Sequence, residues 1–569
     1  MRIILLIFLN LFSFKVSSIE NLVEVSKSPM PGMLTFPIFF ISDSQFHNYL
    51  TDPSIIRSNL ADKFISVAIR PPLLNLFAQD LFLYAMEKYS RNNYVIFLGD
   101  AMDISCKAEW KRFEEVLNNG IHNGWVMLPG NHDSFFFGNT LSVSNMLNSP
   151  VLKSWKDACN TVYPPLKEEI SKNLIFTKDL FVKNYYRNLL NQGKENQIDF
   201  PTAEEVDCNL IPGKNKNVWY ERGTPITICD WKNKKPNGFI QKIRLTFPQK
   251  EDIRVSYRSY ILQEINLSKF FNIDFKIKGI LLDTSDFRNT PTLVTGAVRG
   301  IIHLPGTKLN AGINGGLGLD QIETIKQWIS ENDSDTFYIF MGHHNFDSLT
   351  KETRASFNEI LKLSRDAVYI SSHTHTGFIK NHGNLQEINT GSITDYPNQT
   401  MMLSFKNFGK GSNSMGFWPN TTYFTAEELI KEGVCSLEDN ADKDPNPYYY
   451  YLAYKDLPGL GTPNQVHEFT IDNNLMALYK VFNKLGLYKD TGDPILRKLE
   501  DMVIKSPVKC GPLIGKKNRN CRINKANLLK QVVEMDRSLY SSSFRDERIK
   551  YGACQALWAA YAERKIPKK

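Results

Sequence analysis

No window of this chain holds the ~18 uninterrupted apolar residues that a membrane-spanning helix needs. The apolar stretch Ile3 to Phe14 near its start is short and broken by Asn10 and Ser13. None of the eight cysteines forms a C-x-x-C pair, which argues against a zinc ribbon and a thioredoxin-type redox site. The glycines Gly312, Gly315, Gly316 and Gly318 are not followed by Lys-Ser or Lys-Thr, so a P-loop is rejected and a turn before a helix is expected. Charge is close to balanced: 68 basic against 60 acidic residues leave a net +8 over 569 residues. Its basic runs are short, such as Lys516-Lys517-Asn518-Arg519 and the segment Arg564 to Lys569, and neither of these makes the stripe a nucleic-acid binder needs. The polar run Asn440, Asp442, Asp444 lacks the Gly and Glu of a calcium loop and reads as a solvated turn. No internal repeat is evident.

What is present describes a folded, exported protein. Hydrophobic content of 42% and charged content of 22% are globular values, and the length predicts two or three folded units. Arg2 precedes the apolar stretch, and Val16-Ser17-Ser18 follow it. That is the pattern of a secretory signal over residues 1–18, with a mature chain beginning near Ile19 in an extracytoplasmic compartment. An even cysteine count fits an oxidising compartment, although eight cysteines allow about 105 pairings. Cys510 with Cys521 is the expected local bridge, and Cys106 is expected to stay reduced and buried.

From Leu34 to about Ile393, β-branched and aromatic runs alternate with helical patterns, the mark of a layered α/β architecture. Strands are predicted at Thr35 to Ile41, Tyr94 to Leu98, Trp125 to Leu128, Ile277 to Leu282, Thr336 to Met341 and Ala367 to Ile370. A helix over Lys107 to Asn118 places Trp110, Phe113, Val116 and Leu117 on one face. Asp320 and Glu323 are expected as a capping box opening a helix from Gln321 to Ile329. The polar segment from about 145 to 275 is too long for a connection and is expected as an inserted subdomain. Beyond residue 411 a mainly helical C-terminal region is expected, giving a main domain over 30–410 and a second over 411–569.

Five clusters carry the chemistry, each directly after a predicted strand. They are Asp43-Ser44-Gln45, Gly99-Asp100-Ala101-Met102-Asp103, Gly130-Asn131-His132-Asp133, Gly342-His343-His344 and Ser372-His373-Thr374-His375. Five of the chain's ten histidines fall in them. Asp, Asn and Gly after one strand need mean no more than a turn; five such clusters in order read as one polynuclear metal site.

This set resembles the calcineurin-like metallophosphoesterases, whose pattern is D-x-H, G-D-x-x-D, G-N-H-[DE], G-H and G-H-x-H. The resemblance covers roughly residues 34 to 400. Gly318-Leu319-Asp320-Gln321 leading to Trp328, and Ile388-Asn389-Thr390-Gly391-Ser392, are similar to its flanking segments. It implies an α/β sandwich of mixed sheets flanked by helices, and two divalent cations that clamp a phosphate ester and activate a water. Asp100 would bridge the metals, with Asp43, Gln45 and His375 at metal one and Asn131, His343 and His373 at metal two. The donor types suit manganese, zinc or iron alike. His132 corresponds to a non-ligand histidine that stabilises the transition state or protonates the leaving group, and Asp133 to its orienting carboxylate.

Two departures bear on these expectations. Gln45 stands where the family has a ligand histidine, and His47, two residues on, is the alternative donor. Ser372 replaces the usual Gly, and Asp103 is not the tyrosine of a redox iron site. The expected activity is hydrolysis of phosphate mono- or diesters, with Trp219, Tyr220 and Trp231 in the insertion either capping the site or packing a small disulfide-linked core. The alternative is a binding protein on the same fold that has lost catalysis.

Overall fold

The computed structural model describes residues 38–49, 51, 72–89, 93–120, 125–134, 155–159, 175–193, 226–230, 235–245, 251–257, 260–271, 276–286, 314–332, 334–364, 367–395, 397–407, 415–424, 426–435, 463–490, 492–505, 510 and 516–564. The expected leader, Trp219, Tyr220, Trp231 and the run Asn440 to Asp444 lie outside them.

Two mixed sheets face each other. In the first, β1 (Ile38–Ile41), β2 (Tyr94–Phe97) and β3 (Trp125–Met127) run parallel. Every residue of these three strands is buried, as expected of parallel strands covered on both faces. Beyond β1 come antiparallel β13 (Gln399–Asn407) and β14 (Met415–Tyr423). β14 thus carries the sheet past residue 411 before the helices take over.

In the second sheet, β8 (Ile277–Leu281), β9 (Phe337–Met341), β10 (Ala367–Ser371) and β12 (Leu385–Asn389) are parallel, with β11 (Phe378–His382) antiparallel at the edge. On the other side of β8 lie β7 (Ile261–Asn266), β6 (Glu251–Tyr257), β5 (Lys235–Leu245) and β4 (Ile226–Asp230). These four strands of the segment expected as an insertion therefore extend the second sheet.

Helices cover both sheets: α1 (Pro72–Tyr89), α2 (Lys107–Gly120), α3 (Lys178–Gly193), α4 (Leu319–Ser330) and α5 (Lys351–Leu361). Trp110, Phe113, Val116 and Leu117 of α2 are buried together, and Phe113 packs edge-on against Phe97 and Trp125. α4 opens two residues earlier than expected, at Leu319. Its N-cap is Gly318, whose N–H is satisfied by Asp286, and Asp320 lies within the first turn, so there is no capping box. β3, at a sheet edge, has its backbone closed by side chains: Met127 N–H donates to Tyr185, Tyr185 to Gln263, and the Gln263 amide to the Met127 carbonyl. That ring satisfies the Met127 backbone groups on the edge that strand presents.

The C-terminal region is helical, with α6 (Ala426–Lys431), α7 (Pro463–Lys484), α8 (Lys516–Leu539) and α9 (Arg545–Arg564). α9 packs along α1, and Gly552 is what lets it approach: a Cβ there would fall 2.1 Å from the Asp80 carboxylate. Three disulfides join described residues: Cys510–Cys521 as expected, Cys435–Cys554 and Cys106–Cys159. The last corrects the expectation that Cys106 stays reduced. No described helix is long and apolar enough to cross a membrane.

Candidate metal centre

All five clusters leave the carboxyl ends of parallel strands, at the seam between the sheets. Backbone bonds carry each ladder one step past its strand: Leu98 N to Ile41 O, Leu128 N to Phe97 O and Gly342 N to Ile370 O. The chain then turns sharply. Asp43, Gln45, Asp100, His373 and His375 all adopt positive φ, between 41° and 68°, a region non-glycine residues occupy at a cost that recurs at functional sites. Gly99 and Gly130 let two of the loops touch, since a Cβ on Gly130 would sit 2.0 Å from Asp100 Oδ1.

Around Asp100 the side chains converge. Its Oδ2 lies 3.1 Å from His343 Nε2, and the Gln45 amide nitrogen approaches at 3.5 Å. His343 Nε2 is in turn 3.1 Å from Asn131 Oδ1 and 3.2 Å from His373 Nδ1. The opposite nitrogen, Nδ1, faces the Leu98 carbonyl at 2.8 Å, which fixes the ring with Nε2 toward the site. Ser372, where glycine was the family's habit, bonds the same carbonyl at 3.1 Å. On the other side, His375 Nε2 lies 3.3 Å from Asp43 Oδ1.

Two sets of ligand atoms, Asp100–His343–His373 and Asp43–Asp100–His375, each fall within 4.8 Å of one another, and they share Asp100. Asn131 adjoins the first and Gln45 the shared carboxylate. Oδ2 of buried Asp43 and Oε1 of Gln45 lack a hydrogen-bond partner, and Asp43 Oδ1 has only His375 Nε2 beside it. Buried acceptors left without donors are costly, and a pair of divalent cations would satisfy them, so the residues fit the metals that the motifs imply.

The electrostatics agree. Burial alone would raise the Asp100 carboxyl, but His343, His132 and His373 outweigh it and hold it well below the carboxylate range. Burial depresses His373, and the charge on His343 pushes it further, to about 3. His343 itself, though burial opposes it, is lifted to about 9 by Asp100 and Asp43. The pocket holds positive charge well, but not on every imidazole.

His132 sits at the rim, almost buried, with Nε2 3.9 Å from Asp100 Oδ2. Its Nδ1 bonds the Asp103 carbonyl, and the Asp103 carboxylate lies 3.7 Å away. The sequence assigns Asp133 to orient this ring. Its carboxylate accepts from the backbone N–H groups of Asp100, Ala101, Met102 and Gly130 at 2.7–3.1 Å, and so pins the two loops together. His47 is not a substitute ligand: Asp103 holds one ring nitrogen at 2.7 Å and Glu109 the other at 3.2 Å. Sequence reasoning missed Asp395, which is hydrogen-bonded to His375 Nδ1. Its signal was only position, three residues beyond the Asn389-Thr390-Gly391-Ser392 segment.

The fold and site define a two-sheet α/β sandwich with a carboxylate–imidazole pocket fit for paired cations. Residues 36–253 match the family model described as calcineurin-like phosphoesterase. Three solved structures are similar to it at low scores. A structure described as GAP50, the anchor in the inner membrane complex of Plasmodium, has a TM-score of 0.28 and 10% identity over 68% of this chain and 90% of that one. The 5'-nucleotidase from Candida albicans SC5314 has a TM-score of 0.26 and 12% identity over 69% of this chain and 52% of that one. The phosphopantetheinyl hydrolase from Mycobacterium tuberculosis has a TM-score of 0.22 and 11% identity over 63% and 90% respectively. Scores this low carry no argument about activity. No curated protein sequence matches the chain.

Proposed function

We propose that the chain is a secreted, metal-dependent phosphoesterase that hydrolyses phosphate mono- or diesters. The observation that carries the reading is the pair of ligand groups meeting at Asp100, with His132 on their rim. Asp43, Gln45, Asp100 and His375 would hold one divalent ion, and Asp100, Asn131, His343 and His373 the other. The ions, of manganese, zinc or iron, would supply charge neutralisation for the phosphoryl oxygens and a nucleophilic water at neutral pH. His132 faces the leaving group and delivers a proton to its oxygen, with the Asp103 carbonyl fixing the ring. Asp133 acts through the backbone, keeping the Asp100 and Asn131 loops in register.

In the proposed division, residues 1–18 are a leader, 30–410 the catalytic domain and 411–569 a helical region built onto it. Disulfides among the described residues support an oxidising destination. Gln45, a weak donor where a histidine is usual, favours the second reading, a metal-holding binding protein without turnover.

One experiment separates these readings. Metal-free protein is reconstituted in turn with manganese, zinc and iron, analysed for metal, and assayed on p-nitrophenyl mono- and diesters. Up to two ions per chain with chelator-sensitive turnover is expected. Well below one ion per chain with all three metals sinks the metal-site reading; two ions without turnover leaves the binding protein.

A further inference from the structure

We propose that Asp395 is a positioning residue for the first cation site, locking His375 in ligand geometry and so offsetting the weak donor Gln45. The proposal rests on the two-cation reading given above. Asp395 lies on the turn that leaves β12 in the second sheet and enters β13 in the first. Its carboxylate bonds Nδ1 of His375, while the other nitrogen of that ring faces Asp43 Oδ1 at 3.3 Å. A carboxylate at Nδ1 keeps the proton there and turns the Nε2 lone pair toward the metal.

The same turn braces the other half of the site. Thr394 Oγ1 donates to the carbonyls of Asp43 and Ser44, at 2.7 and 2.8 Å, and Ser392 Oγ to the Asp43 carbonyl at 3.2 Å. Ser392 Oγ also accepts from the N–H of Asp395 at 3.2 Å, and the Asp395 carbonyl accepts from Asn398 N at 2.6 Å. One turn therefore grips the positive-φ segment that bears Asp43 and Gln45 and also aims His375. Gln45 brings a neutral amide oxygen in place of an imidazole, which leaves His375 as the single imidazole among the first site's candidate donors. A carboxylate behind that imidazole raises its basicity as a ligand. The Asp395 side chain is 24% exposed, so the core does not depend on it.

The test is calorimetric titration of metal-free, full-length protein with Mn²⁺ and, separately, Zn²⁺, on wild type, Asp395→Ala and Asp395→Asn, beside the thermal midpoint of each metal-free protein. Asp395→Ala should weaken one of the two sites by roughly 10–100-fold and leave the other unchanged. Asp395→Asn should lose less, because its amide oxygen still accepts from Nδ1–H, and the metal-free midpoints should coincide. Wild-type affinity at both sites in Asp395→Ala overturns the proposal while leaving the two-cation reading intact. So does equal weakening of both sites together with a lowered metal-free midpoint, the behaviour of a merely structural residue. Wild type that takes up neither Mn²⁺ nor Zn²⁺ overturns the proposal and the two-cation reading together.

Discussion

Gln45 is the residue that most divides an enzyme from a scaffold. If its unpartnered Oε1 belongs to the first site, Gln45→His should tighten one metal site and spare the other in a titration of both proteins. Unchanged affinity at both would place Gln45 outside the ligands. His132 carries the catalytic half of the question. His132→Ala should keep its metal content and thermal midpoint yet lose roughly 10²–10⁴ in turnover, the range for a positioned acid–base group. The loss should shrink on p-nitrophenyl phosphate, whose leaving group scarcely needs a proton. A falling midpoint with undiminished turnover per folded molecule would make His132 structural.

At the scale of elements, the loops after β2 and β3 depend on a single side chain. Asp133 satisfies four backbone N–H groups, and an unsatisfied buried donor costs about 1–3 kcal/mol. Asp133→Ala should therefore destabilise the metal-free protein by several kcal/mol in urea unfolding, a loss that a mere orienter of His132 would not cause. This is also where sequence reading ran short. The glycine, asparagine and histidine of the loops were legible because strand ends with such residues are few. Asp133 sits beside His132 in sequence, but the short helical turn His132–Ser134 sends its carboxylate back under the loops. Asp395 was illegible because its partner is twenty residues away in the chain and no periodicity links a turn to a ligand. Cys106 looked like a thiol packed near a metal motif, and only the fold brings Cys159 to it. Strand cores were read within a few residues, since uninterrupted apolar runs such as Tyr94–Phe97 have few other uses.

Across the whole molecule, the helical region is tied to the two-sheet body through buried charge. Arg548 on α9 bonds Asp80 of α1 at 2.9 Å and Asp536 of α8 at 2.7 and 3.0 Å, and Tyr540 donates to Asp80 at 2.6 Å. Burial lifts the Asp80 carboxyl to about 6, against the pull of Arg548 and Tyr540. A carboxyl raised on folding contributes stability that is fully present below its unfolded value and is lost as pH rises through its folded one. The stability of wild type relative to Asp80→Asn should therefore fall between about pH 4 and pH 6 and level off above. Urea unfolding of the two metal-free proteins at four pH values checks this, and a flat difference would show that folding does not raise the Asp80 carboxyl.

The order of strands has a consequence for when the pocket comes into being. β1, which delivers Asp43, lies between β2 and β13, and its pairing with β13 joins Phe39 to Met402. His375 and the turn that grips Asp43 also come from beyond residue 370. A ribosome must therefore have reached Thr394 before the first cation site has both its walls. Contacts this distant in sequence form slowly. Any metal ion could therefore be taken up only late, in whichever compartment the chain finishes folding.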